Sequence, residues 1–184
     1  MKNLLYLIAF AMLLSDCHPQ AEENYITVFP GKPDVPSSIR VEHESLLDQI
    51  NAITLFQDST GFVATEIEEL MQHHFAEEED FVLPPLGLLP LLASGKIPEQ
   101  SKEVIQLAEK LKSQLTHMTL EHQMINALMA QLKEVATQEN HPEVIDFEST
   151  VHKHAVTEEE VYFPAAILVG EYLKLKLNPI QSAS

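Results

Sequence analysis

Apolar residues recur every three or four positions along most of this chain, and stretches that alternate apolar with polar residues are hard to find. That spacing lines one face of an α-helix, whereas half-buried strands need alternation. From Val41, the residues Leu46, Leu47, Ile50, Ile53 and Leu55 keep helical spacing, with Ser37 or Ser38 placed to cap. They predict a first helix that ends near Thr60-Gly61. A second is predicted from about Phe62 to Leu83, where Pro84-Pro85 stops it. Leu86 to Pro98 is apolar but interrupted by Pro and Gly, and is expected to lie over one end of the domain. Ile105, Ala108, Leu111, Leu115, Met118, His122, Ile125, Met129 and Leu132 make one stripe on a long third helix, which ends around Thr137 to His141. Pro142 suits the first turn of a fourth helix. That helix runs toward Pro164, where a bend is allowed, and continues to about Leu177.

This pattern predicts an all-α fold, an antiparallel up-down four-helix bundle over residues 36–177. The apolar fraction of 45% is enough for a core, and 5 Gly with no Trp fits helices. A formal net charge of -17 repels phosphate backbones and excludes nucleic acid as a partner. Residues 18–35 hold Pro19, Pro30, Gly31, Pro33 and Pro36 close by or within them, and read as a tether or an arm packed on the domain. Residues 178–184 are a short polar tail.

The first 17 residues read as a signal segment. Lys2 is followed by an apolar run from Leu4 to Leu14, about half of the ~20 residues a spanning helix needs. Cys17 is the only Cys, so no intramolecular disulfide forms. Its place after the apolar run resembles the lipid-modified Cys of bacterial lipoproteins, although Asp16 departs from the small residue usual there. The expectation is an exported protein of a bacterium, periplasmic or anchored in a membrane through Cys17. The alternative is an ordinary cleaved signal with an incidental Cys.

An internal repeat carries the chemistry. Glu42-His43-Glu44 matches Glu121-His122-Gln123, and the segment from His74 to Glu79 matches that from His154 to Glu160. The offsets are 122 − 43 = 79, 154 − 74 = 80, 158 − 78 = 80 and 164 − 84 = 80. The halves are two similar helical hairpins, each with one His on its first helix and His-x-x-x-Glu on its second. Residues four apart share a helix face. His74 with Glu78, and His154 with Glu158, can therefore aim at one interior spot, joined by His43 and His122 from the apolar stripes. Burying two unpaired carboxylates costs several kcal/mol each, and a pair of cations removes that cost. Two carboxylates and four imidazoles suit borderline, redox-active ions such as Fe or Mn. One His on an apolar face is more often a hydrogen-bonded core residue, so it is the recurrence that points to metal. A metal-free or zinc-loaded structural bundle is the alternative.

Other polar residues fit elsewhere. Glu77, Glu79, Glu159 and Glu160 lie ~100° or more from the His-bearing face and read as solvated turns. His117, five before His122 and about 140° round the helix, is expected at the rim of the site or behind its ligands, with a fifth imidazole ligand as the alternative if the helix distorts. His73 faces a flank, His152 points away from His154, and Tyr162 and Phe163 read as packing residues.

The paired segments, from His74 to Pro84 and from His154 to Pro164, together with His43 and Glu121-His122, resemble the hemerythrin-like, or HHE cation-binding, family. The resemblance spans roughly residues 36 to 177. It implies a bundle with a non-haem centre of two iron ions, with Mn or Zn as other ions the set accommodates, and a site for O2, NO or peroxide. His43, His74, His122 and His154 would be terminal ligands, and Glu78 and Glu158 would bridge. The O2-carrying hemerythrins have a second His one turn along the third helix, where this chain has Met118 and Asn126, and an Asp five after the fourth-helix His, where this chain has Glu at plus four. The pattern is closer to bacterial members linked to nitric-oxide stress and iron repair, and to iron-sensing eukaryotic members, without the Cys-bearing N-terminal domain of the repair proteins. Ferritin-like bundles use Glu-x-x-His, the reverse order. The resemblance implies a protein that binds, senses or scavenges such a small ligand; an oxidoreductase reducing NO or peroxide, or an iron-storage or repair helper, is the alternative.

Overall fold

The computed structural model describes residues 32–98 and 101–177. The signal segment at 1–17, most of the arm at 18–35 and the tail at 178–184 lie outside the described residues. Among the described residues no helix is long and apolar enough to cross a membrane.

The fold is an all-helical bundle with four arms. The first arm is α1, Ser37–Thr54. The second is α2, Ser59–Glu77, extended by a π turn at Glu78–Val82. A 3-10 turn, Pro84–Leu88, and the short helix α3, Leu89–Ala93, lead to the third arm, α4, Ser101–Glu139. The fourth arm is α5, Pro142–Thr157, a π turn at Glu158–Tyr162, and α6, Phe163–Leu177. α1 packs on α2, α2 on α4, and α4 on both α5 and α6.

Helix ends depart from the sequence expectation in identifiable ways. α1 stops at Thr54, ahead of Thr60-Gly61, because Asp58 caps a new helix and accepts from the Gly61 amide at 3.3 Å. Gly61 lies in the first turn of α2, where a Cβ would meet the Phe56 carbonyl oxygen at 2.0 Å. At the start of α1 neither Ser37 nor Ser38 caps; Pro36 holds that position and its carbonyl accepts from Ile39 and Arg40. α4 ends at Asn140, whose φ of 62° is the left-handed turn that Asn tolerates, and the His141 amide reaches back to Ala136 at 2.8 Å.

The two prolines that close the repeat behave differently. After Pro84, Pro85 biases the chain away from α geometry and the arm breaks into a 3-10 turn. Pro164 is followed by Ala165, and the helix resumes at Phe163 with proline in its first turn, where the missing N–H costs no helical bond. In both arms a π turn comes just before: Leu83 donates to the Glu78 carbonyl, and Phe163 to that of Glu158. Pro164 thus bends register without ending the arm.

Burial sorts into layers. One apolar cluster holds Leu46, Ile50, Ile67, Met71, Ile125, Met129 and Val151. A second holds Ile39, Phe81, Leu83, Leu111, Met118 and Phe163. On every arm the buried His or Glu falls between the two: His43 between Ile39 and Leu46, His74 and Glu78 between Met71 and Phe81, His122 between Met118 and Ile125, and His154 and Glu158 between Val151 and Phe163. Leu86 and Leu88 are buried, so the segment after Pro85 does cover one end of the bundle. The stripe on α4 is buried as expected except for Ile105, which is half-buried, and Leu115, which is exposed. The last residues of the arm pack on the domain: Val35 is buried, and Lys32 donates to the carbonyls of Glu79 and Asp80.

At the far end, Glu139 joins the two halves by accepting from the Ser59 and Thr60 amides and the Thr60 hydroxyl at 2.6–3.0 Å. Those bonds, led by that from the Thr60 side chain, hold its pKa down to about 2 from 4.5. A carboxylate lowered on folding stabilises the fold above its unfolded pKa, and that contribution is lost as pH falls through the folded one. Glu139→Ala is therefore expected to lower the thermal midpoint at pH 7. The gap from the unsubstituted chain should narrow between about pH 4.5 and 2. Circular-dichroism melts across that range check it; a gap that stays constant counts against the assignment.

Candidate metal centre

The six residues expected from the sequence meet at one place. His43, His74, Glu78, His122, His154 and Glu158 are all buried, the two carboxylates completely. They form two overlapping groups that share Glu78 and Glu158: one adds His43 and His154, the other His74 and His122. Each group thus takes one imidazole from each half of the repeat.

Every imidazole points Nε2 inward. The distances to the shared carboxylates are 3.5 and 3.4 Å for His43, 3.3 Å for His74, 3.8 and 3.3 Å for His122, and 3.1 Å for His154. Hydrogen bonds between such groups centre nearer ~2.8 Å. Ligand atoms around one tetrahedral ion with bonds of ~2.0–2.2 Å stand ~3.3–3.6 Å apart. Both Glu78 oxygens, one Glu158 oxygen, and Nε2 of His74, His122 and His154 are buried with no hydrogen-bond partner. Buried polar atoms are rarely left so. These residues fit a metal pair on their own geometry.

Every imidazole also points Nδ1 outward at a carboxylate. His43 reaches Glu79 at 3.1 Å, His74 reaches Glu121 at 2.8 Å and His122 reaches Glu159 at 2.8 Å. His154 approaches Glu42 at 3.3 Å without hydrogen-bond alignment. An acceptor at Nδ1 puts the proton there and leaves the Nε2 lone pair free for a metal, besides raising ligand basicity. The expectation that Glu79 and Glu159 are merely solvated is therefore corrected. They sit off the His face of their own helix, but their side chains reach the neighbouring arm. The repeat carried this signal too, since 121 − 42 = 79 and 159 − 79 = 80. Glu77 is likewise engaged, accepting from the exposed His117 at 2.9 Å. Glu160 is exposed as expected. His117 stands at the rim, and His152 is exposed beside Asn126.

Charge at the site is balanced unevenly. Burial, with the adjacent Glu158 charge, pushes Glu78 well above the usual carboxylate range. Burial acts on Glu158 in the same direction, but the close imidazoles of His122, His154 and His43 outweigh it and hold Glu158 well below that range. Burial would lower His154, yet the Glu158 carboxylate 3.1 Å away prevails and raises it to about 9. Two carboxylates this close demand positive charge, from protons or from cations.

Ring packing fixes the imidazoles. His43 stacks on Phe75 at 4.0 Å, and His122 lies nearly parallel to Phe163 at 5.7 Å. Phe163 is the packing residue the sequence suggested, and Tyr162 is half-buried beside it. On one side of the centre is a cavity of about 10 Å³, lined by His74, His122 and His154 and by apolar Met71, Phe75, Ile125, Val151 and Ala155.

Comparison with known proteins yields one family. The hemerythrin HHE cation-binding domain matches residues 34–166. No curated protein and no solved structure gives a significant match. The matched region runs through all four arms and both groups of buried His and Glu, and the chain belongs to the hemerythrin HHE cation-binding family.

Proposed function

We propose that this chain holds two iron ions between its four arms and uses them to bind a small ligand such as O2, NO or peroxide. One observation carries the reading: four inward Nε2 atoms surround two buried carboxylates that both groups share. His43 and His154 would hold one ion, His74 and His122 the other, with Glu78 and Glu158 bridging. Iron, where bound, supplies a redox-active Lewis acid. The chain's own residues do the rest. Glu79, Glu121 and Glu159 orient the imidazoles, and Phe75 and Phe163 hold two of the rings in place. The two apolar clusters keep water from the layer.

The cavity beside His74, His122 and His154 has room for about one water-sized guest. Outside the imidazoles its lining is apolar, which favours an uncharged diatomic over a larger or charged ligand. The N-terminal segment supports export, with Cys17 as a lipid attachment point; mass spectrometry of the mature protein from a bacterial host would show whether the chain begins at a modified Cys17.

Two outcomes follow. The purified full chain should contain about two iron atoms with near-UV charge-transfer absorption, and Glu78→Gln, similar in shape but uncharged, should lose most of both. Iron content unchanged in that variant would defeat the reading. Glu159→Ala should weaken metal affinity by about 10–100-fold while helicity is retained, because it frees the His122 ring. Competition with a chelator measures this, and an affinity equal to that of the unsubstituted chain would show that the outer carboxylate does not tune its ligand.

A further inference from the structure

A second His and Glu cluster lies outside the buried layer, where α2 crosses α4. His73 and Glu77 are four apart on α2, and His117 and Glu121 are four apart on α4. Each pair repeats the His-x-x-x-Glu spacing of the inner ligands and so presents both groups on one helix face. His117 Nε2 is 2.9 Å from Glu77 and 3.6 Å from Glu121, and His73 Nδ1 is 3.5 Å from the same Glu121 oxygen. Ligand atoms of His73, Glu77 and Glu121 lie within 4.8 Å of one another.

Glu121 is the informative residue. It is only 6% exposed, and one of its oxygens accepts from His74 Nδ1. The other oxygen, Oε1, is aimed at the two outer imidazoles and makes no hydrogen bond with the described residues. This oxygen, 3.5 and 3.6 Å from two imidazole nitrogens, is too far from them for good hydrogen bonds. It is close to the ~3.3–3.6 Å separation of ligand atoms around one ion with bonds of ~2.0–2.2 Å.

The internal repeat supplies a comparison within the same chain. Moving the outer residues by the repeat offset gives 73 + 80 = 153, 77 + 80 = 157, 117 − 79 = 38 and 121 − 79 = 42. Those positions are Lys153, Thr157, Ser38 and Glu42. Glu42 still faces an imidazole, that of His154, but the other three offer no His and no carboxylate. The outer cluster is therefore not a by-product of duplicating the inner one. The acidic group at Asp58, Glu139 and His141 differs again, because all four of its carboxylate oxygens accept hydrogen bonds, whereas Glu121 Oε1 accepts none from the described residues.

We propose that His73, Glu77, His117 and Glu121 form an outer site for one divalent transition-metal ion, distinct from the buried pair. Two imidazoles and two carboxylates on exposed, crossing helices suit a borderline ion held more weakly than one in the dry layer. The ion would share Glu121 with His74, placing it one side chain from an inner imidazole.

Titration of the full chain with Co2+, read by visible absorption and metal content, tests this. The unsubstituted chain is expected to bind one more equivalent than His73→Ala/His117→Ala. Both histidines are exposed, so the fold should survive, and circular dichroism verifies that. Glu77→Gln should weaken the same equivalent by about tenfold or more. Glu78→Gln/Glu158→Gln should lose the inner equivalents and keep the outer one, which separates this site from the proposed inner centre. An equal Co2+ stoichiometry in the His73→Ala/His117→Ala variant and the unsubstituted chain overturns the outer site whatever the inner centre does.

Discussion

Two carboxylates, Glu78 and Glu158, sit fully buried side by side in the middle of the bundle, and the rest of the structure answers to that juxtaposition. An unpaired buried charge costs several kcal/mol, and two of like sign cost more. Apolar clusters close the layer above and below, so bulk water does not reach the charge. Relief has to come from within the layer. Four imidazoles supply part of it, and their Nε2 atoms stand at separations suited to sharing cations with the carboxylates.

The pairing of ligands has a consequence for folding. Each buried group draws one His from the first hairpin and one from the second. Neither half can assemble a complete cation site, so an ion bound in the layer is a bond between the halves. Metal binding is then linked to docking of the hairpins, as in other domains whose sites do not exist in the unfolded chain. The opposite end of the bundle is tied without metal, by Glu139 on the α2 N-terminus and by His141, which stacks on Phe56 at 4.3 Å and bonds Asp58 at 2.7 Å.

The residues that converge were legible because they combine two independent periodicities, helical spacing and the repeat offset. His43 illustrates this: its flanking apolar residues place it inward, and its counterpart His122 removes the accident of a lone His. The carboxylates behind the imidazoles were harder to read. Helical angle alone puts Glu79 and Glu159 away from the site, and only the position of the neighbouring arm shows what they touch. Helix ends were legible where a proline or left-handed residue marks them, as at Asn140, and misread where the deciding contact is tertiary. Gly61 looks like a terminator, yet it is a close-approach residue against Phe56 inside the next helix.

The two halves of the chain also differ in telling places. They agree in the inner ligands and in the carboxylates at Nδ1, where the demands of a shared centre act equally on both. They part at Pro84-Pro85 against Pro164-Ala165, which sends one arm into a cap over the bundle and lets the other continue as α6. They part again at the rim, where His73, Glu77 and His117 on one side face Lys153, Thr157 and Ser38 on the other. A symmetric core with unequal faces gives the centre a direction. Glu121 is buried and stands between inner His74 and the outer cluster, whereas Glu42 is exposed and lies against His154. His74 is therefore linked through Glu121 to two surface imidazoles, a link that its counterpart His154 lacks, and two positions built from the same ligands need not behave as equals.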